Sequence, residues 1–105
     1  MARSDATTLG TVELVRLVWT RRANIDRKNI REYIAADNLA AALNLDERFS
    51  DRAKHLGENP GLGRAGREPG TRELVAHRNY LLVYDVADDQ VRILRVLHAA
   101  RQWPG

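Results

Sequence analysis

Residues 71–104, TRELVAHRNYLLVYDVADDQVRILRVLHAARQWP, decide the fold. Three short runs rich in Leu, Val and Ile are separated by two polar breaks, the pattern of neighbouring strands joined by tight turns. Counting from the N-terminus, residues 71–76 read as the second strand, 80–86 as the third and 91–97 as the fourth. His77, Arg78 and Asn79 form the first turn, and residues 87–90, with two aspartates, the second. In the last strand Val91, Ile93, Arg95 and Leu97 share one face, and Arg92, Leu94, Val96 and His98 the other. Both faces carry apolar residues, so this strand is expected to be central, with helices covering one side. The stretch ends in a cluster of His98, Arg101 and Trp103.

Upstream lies GLGRAGREPG, residues 61–70. Four glycines and one proline in ten residues argue against regular structure. Arg64 and Arg67 sit among them, and glycines beside arginines can cradle a phosphate. The spacing matches neither a Walker loop nor a dinucleotide fingerprint, and an ordinary connector between helix and sheet is the favoured reading. Before this connector, Ala42, Leu45, Phe49, Ala53 and Leu56 recur at three- and four-residue spacing, the apolar stripe of a helix. Gly57 is its expected C-terminal cap, and Pro60 prevents continuation.

A preceding helix is expected from near Arg21, capped by Thr20, with Ala23, Ile30, Tyr33 and Ile34 along one face. Asp37 or Asn38 breaks it and caps the next. The two make an antiparallel hairpin whose stripes need a sheet to cover. The β-rich run before Thr20 predicts a first strand over residues 12–19. Residues 1–11 show no periodicity and read as a disordered lead-in to one domain over 12–105. The expected class is therefore α+β: an N-terminal strand and a helical hairpin packed on a twisted antiparallel sheet.

The chain of 105 residues carries a net charge of +3, and arginine dominates, with Lys28 and Lys54 the only lysines. A basic balance permits nucleic acid or an acidic partner. A GC-rich genome, which favours arginine, accounts for it as well. The absence of cysteine excludes disulfides, thiolate catalysis and cysteine-based zinc sites. No pair of the three histidines has metal-ligand spacing, so neither metal nor cofactor is expected. No apolar run approaches membrane-span length, and the N-terminal residues lack the apolar core of a secretory signal, so a cytoplasmic location is expected.

Neither serine sits in a nucleophile elbow, and no carboxylate pair marks a cleft. What remains on the sheet is Arg72, His77, Tyr80, Tyr84, Arg95, His98 and Arg101. These types suit metal-independent cleavage of RNA by its own 2′-hydroxyl, which needs a base, an acid and cations for the phosphorane charge. His77 and His98 supply acid or base, and Arg72, Arg95 and Arg101 the charge. Arg64, Arg67, Tyr80 and Tyr84 are candidates for holding the RNA. Each also has a plain reading: the tyrosines pack at the sheet edge, and Arg72 and Arg95 pair with Glu73 or Asp85.

The run G-T-R-E-L-V-x-H-x-N-Y-x-x-V-Y, residues 70–84, followed by I-L-R-V-L-H-A-A-R-Q-W-P, residues 93–104, closely resembles the RelE/ParE superfamily of type II toxin–antitoxin toxins. W-T-x-R-A at 19–23, Y-I-A-x-D-N-x-x-A-A at 33–42 and N-P-x-x-G-R at 59–64 extend the match from about Leu14 onward. The resemblance implies the same α+β fold, growth inhibition, and a cognate antitoxin whose flexible segment folds across the toxin. Mechanism divides within it. RelE-like members cleave mRNA on the ribosome. ParE-like members lack that catalytic set and poison DNA gyrase. On the RelE pattern the second-strand catalytic arginine falls at His77, and the arginine after the last strand at Arg101. The expectation carried forward is a toxin acting as a ribosome-dependent mRNA endonuclease. The alternative is a non-enzymatic gyrase inhibitor with Trp103 as an anchor.

Overall fold

The computed structural model describes residues 16–100. The expected lead-in at 1–11, the first half of the expected first strand (12–15), Arg101 and Trp103 lie outside the described residues. The elements are β1 (Arg16–Trp19), α1 (Arg21–Ala35), α2 (Leu39–Glu58), a 3-10 turn (Pro60–Leu62), β2 (Arg64–Ala65), β3 (Arg72–His77), β4 (Tyr80–Ala87) and β5 (Gln90–His98). The sheet order is β1-β5-β4-β3-β2. Strands β2 to β5 pair antiparallel, whereas β1 runs parallel to β5, so the sheet is mixed and not wholly antiparallel. The α+β class stands, with the hairpin on one face.

Both helix starts follow from local chemistry. The Thr20 hydroxyl accepts the Ala23 N–H at 3.2 Å, and the Asn38 side chain accepts that of Ala41 at 3.0 Å. Every member of the α2 stripe is buried against the sheet, as expected. In α1 only part of the face is covered: Ala23 is fully buried, while Tyr33 is 80 % exposed. The expected cap at Gly57 is replaced. Helix α2 runs through Glu58, and Gly57 has no positive φ, so no left-handed cap forms there. Asn59 closes the helix through its N–H on the His55 carbonyl at 2.8 Å, and Pro60 opens the 3-10 turn.

Strand β1 stops at Trp19, opposite Ile93, leaving the rest of the β5 edge without a strand partner there. Helix α1 completes that edge with side chains. The Thr20 hydroxyl donates to the Ile93 carbonyl at 2.9 Å. The Asp26 carboxylate accepts the Val96 N–H at 2.9 Å and grips the Arg95 guanidinium at 2.7 and 3.2 Å. The next residue, Arg27, lies 4.3 Å from the Trp19 ring centre and forks onto Asp46 of α2, both contacts at 2.9 Å. It also reaches the Ser50 hydroxyl at 2.9 Å. Two consecutive residues of α1 thus tie it to β5 and to α2.

The glycine-rich connector is more ordered than expected, and Tyr84 is the reason. Tyr84 is 0 % exposed, and its hydroxyl donates to the Pro60 carbonyl and accepts the Gly63 N–H, each at 2.8 Å. A Cβ on Gly63 would lie 2.6 Å from that hydroxyl, so the close approach requires glycine. This pin brings Arg64–Ala65 alongside β3 as a short strand. Glu73, 3 % exposed, sits between Arg64 at 3.6 Å and Arg67 at 3.3 Å, and also accepts the Arg67 N–H at 3.0 Å. Burial alone pushes its carboxyl up. The Arg67 N–H and guanidinium and the Arg64 charge outweigh that and hold it below its ordinary value of 4.5.

Strict alternation fails in β5. Val83 opposes Arg95 and Tyr84 opposes Ile93, so Leu94 is an extra, bulged residue. The bulge swaps faces, so the shared face expected for Val91, Ile93, Arg95 and Leu97 breaks at Leu94, and Val91, Ile93 and Val96 lie in the core under the helices. A second bulge in β3 lies between Val75 and His77. The β4–β5 turn is Asp88–Asp89, with Asp88 at φ 55°, a conformation aspartate tolerates in two-residue hairpins.

Two stability predictions follow from these contacts. Asp26→Ala leaves Arg95, whose side chain is 15 % exposed, without its carboxylate, and leaves the Val96 N–H unpaired. Urea titration should show a loss of about 3–5 kcal/mol, the range for breaking a buried pair from one side. Because the folded value of Glu73 is lowered, its contribution is complete above the ordinary glutamate range and is lost as pH falls through the folded value. Acid unfolding monitored by circular dichroism should therefore lose part of its pH dependence below the ordinary value in Glu73→Gln.

Candidate functional site

Both bulges act at one end of the sheet. If the register of Arg72–Val75 against β4 continued unbroken, Tyr80 would oppose Ala76. If the register of the first half of β5 continued, Tyr80 would oppose Leu97. Each bulge shifts its strand by one residue, and Tyr80 instead opposes His77 on one side and His98 on the other. Facing residues in neighbouring strands project to the same face. The ring centres of His77 and His98 lie 6.2 and 5.2 Å from that of Tyr80, and Phe49 of α2 meets the tyrosine edge-on at 5.7 Å. His77 therefore belongs to β3 and not to the turn that follows it.

The two histidines do not touch, because β4 runs between their strands. Each accepts a backbone N–H two residues on: His77 Nδ1 from Asn79 at 3.3 Å, and His98 Nδ1 from Ala100 at 3.1 Å. A neutral imidazole has one donor and one acceptor nitrogen. In the neutral ring with Nδ1 accepting, Nε2 is the donor nitrogen. Burial, aided by the neighbouring Tyr33, pushes the Tyr80 hydroxyl above its usual value, so it too is a protonated donor at neutral pH.

Two clefts flank Tyr80 beneath the hairpin. One, of about 450 Å³, lies between α2 and the His77 side and includes Asn44, Arg48, His77 and Asn79. The other, of about 350 Å³, lies between α1 and the His98 side, with Asp26, Asn29 and Tyr33. Among the described residues no group of three His, Asp or Glu side chains could hold a metal ion.

The remaining candidates sit elsewhere. Arg72 donates to the backbone carbonyls of Gly61 and Gly63, the former at 3.2 Å, and its Nε is buried without a partner. Arg95 is held by Asp26 of α1, and Asp85 is taken by Arg92 at 2.6 Å. The plain reading of these arginines as ion-pair or packing residues thus fits, with partners other than those expected. Arg64 and Arg67 flank Glu73, and Tyr84 is inside the core. His55 is on α2, 3.5 Å from Arg52. Sequence reasoning did not single out Asn44, Arg48 and Asn79. Asn44 and Arg48 are four residues apart, so their shared helix face was readable, but not that this face meets His77.

The comparisons with known proteins agree with this geometry. The family model described as the ParE toxin of the type II toxin–antitoxin system parDE matches residues 17–103. A putative toxin, Y4kP, of Sinorhizobium fredii is 41 % identical over 90 residues, covering 85 % of this chain and 93 % of that one. Toxin RelE2 of Caulobacter vibrioides is 40 % identical over 88 residues, covering 84 % and 99 %. A solved structure of the chromosomal ParDE toxin–antitoxin system of P. aeruginosa superimposes with a TM-score of 0.72 at 27 % identity, over 81 % of this chain and 96 % of that one. The RelBE2 toxin–antitoxin complex of Mycobacterium tuberculosis gives 0.56 at 25 % identity, over 87 % and 98 %. With its described fold and a match across most of its length, the chain belongs to the ParE toxin family of type II toxin–antitoxin systems, within the RelE/ParE superfamily.

Proposed function

We propose that this toxin inhibits growth by binding a protein target, DNA gyrase, in the manner its ParE resemblance implies, and not by cutting RNA. The observation that carries the reading is the state of the groups RNA cleavage would use. Arg72 and Arg95 are engaged with the protein's own carbonyls and with Asp26. Tyr84 is buried, and the Nδ1 atoms of His77 and His98 are each taken up by a backbone N–H. Donors remain at the sheet end, but a general base within reach of a 2′-hydroxyl does not follow from them.

A binding mode also accounts for the surface of the hairpin. Ile25 and Tyr33 on α1 and Leu39 and Leu43 on α2 are exposed. Large apolar side chains grouped on two adjacent helices suit a protein partner. The antitoxin is the second partner, and no helix among the described residues is long and apolar enough to cross a membrane. The row His77–Tyr80–His98 is the observation that favours the other reading, ribosome-dependent mRNA cleavage, with Arg101 as its cation.

The test pairs a gyrase supercoiling assay with mapping of mRNA ends on translating ribosomes. The reading expects supercoiling to be inhibited while the mRNA stays intact. It also expects His77→Ala and His98→Ala to change toxicity by less than about threefold. Loss of an acid or base would lower cleavage by about 10²–10⁴-fold. New mRNA ends that vanish in His98→Ala would establish cleavage instead.

A further inference from the structure

The glycine-rich connector and the 3-10 turn border a cleft of about 450 Å³ at the end of the sheet away from His77, Tyr80 and His98. Pro60, Ala65 and Val86 give it apolar walls, and Arg72 is the one charged residue among the described residues that line it. Arg72 faces Tyr84 across the ladder, and Val86 follows Tyr84 two residues on along β4. Arginine and valine therefore stand on one side of the sheet.

The guanidinium of Arg72 is incompletely bonded. Both of its hydrogen bonds, to the Gly61 and Gly63 carbonyls, leave from Nη2. Its Nε is the one buried side-chain nitrogen or oxygen without a partner among the described residues. No carboxylate among those residues lies in ion-pair range of it. A buried donor left unpaired is costly, and a partly buried cation without a counter-charge adds to the cost. A water molecule relieves the first and not the second, whereas an anion relieves both. Nε–H and Nη2 lie on the same side of the guanidinium, the fork that a carboxylate takes with both oxygens. Of the two contacts at Nη2, the one to Gly61, 3.2 Å, is the longer. Gly61 is exposed, so its carbonyl can pass to water. A carboxylate standing in its place bonds Nε and Nη2 together while Gly63 keeps its contact.

We propose that this cleft binds a small carboxylic acid with an apolar body, its carboxylate on Nε and Nη2 of Arg72 and its body against Pro60, Ala65 and Val86. The volume falls within the roughly 300–1,000 Å³ of small-molecule sites. The walls select against inorganic phosphate, which brings more charge than one guanidinium offsets and has nothing apolar to bury. Binding the acid and holding the connector are compatible, because the Gly63 contact and the Tyr84 pin both remain. The site lies apart from the clefts that flank Tyr80 and from the exposed apolar residues of the hairpin, so it does not depend on the gyrase reading.

The Nε–H of an arginine gives its own signal in a nitrogen–proton NMR spectrum, so the contact can be watched directly. The purified full chain is titrated with benzoate, with benzamide as the neutral isostere and inorganic phosphate as the bare anion. Benzoate at about millimolar concentration, the range of a ligand held by one charge-assisted fork, should move the Arg72 Nε–H signal and slow its exchange with water. Benzamide should do neither, and phosphate should bind at least about tenfold more weakly than benzoate. Arg72→Lys, followed at the Val86 amide, should weaken benzoate at least about tenfold, because the charge remains and the fork does not. Val86 is 44 % exposed, so Val86→Glu can place a tethered carboxylate in the cleft. In that chain the Arg72 Nε–H signal should sit near its benzoate-bound position without ligand, and added benzoate should not move it. Circular dichroism checks folding, and where Arg72→Lys loses its fold the Val86→Glu chain decides. An Arg72 Nε–H signal that benzoate leaves in place, or that benzamide moves equally, would overturn the proposal. So would phosphate binding as tightly as benzoate, or unaltered benzoate binding in Val86→Glu.

Discussion

The structure depends on how the β5 edge is finished. A strand buried inside a protein must have its N–H and carbonyl groups paired. Strand β1 does this only as far as Ile93. From there Thr20 and Asp26, side chains of the following cap and helix, take over the bonding. The same carboxylate neutralises Arg95, so one acid closes the ladder and pairs a nearly buried cation. Because Asp26 and Arg27 are consecutive, the helix held to β5 by the first is held to α2 and Trp19 by the second. The position of the hairpin over the sheet, and hence of both clefts, follows from this pair.

That constraint bears on function. A cation on a toxin's sheet invites the thought of phosphate. Arg95 is instead spent on the fold, as is Arg72, whose guanidinium holds the glycine-rich connector through two carbonyls. Arg64 and Arg67 share Glu73, which lies beneath them with a carboxylate the two arginines keep ionised. At the sheet end Tyr80 stands between His77 and His98, packed on Phe49 of α2. Under the reading proposed above, this end of the sheet serves to recognise a partner.

Much of this was legible in the residues. Thr20 and Asn38 announce their helices, because caps are local chemistry. The α2 stripe from Ala42 to Leu56 is a period that no tertiary contact disturbs. The strands of the C-terminal block fall within a residue or two of their expected bounds. What could not be read is non-local. The Asp26–Val96 bond spans 70 positions, and nothing near either residue signals it. Leu94 and Ala76 look like ordinary strand residues, yet as bulges they reverse the faces beyond them and bring two histidines beside Tyr80. Tyr84 reads as a polar candidate from sequence and proves to be the buried pin of the connector, because its hydroxyl finds both partners inside.

The central claim is that this toxin works by occupying a protein and not by cleaving RNA. Its most direct measurement is made in growing cells that express the chain without antitoxin. DNA ends covalently attached to gyrase are recovered alongside a transcriptome-wide map of mRNA 5′ ends. The account predicts that gyrase-linked DNA breaks accumulate while the mRNA ends match those of uninduced cells. New mRNA ends within translated codons, with no rise in gyrase-linked breaks, would contradict it.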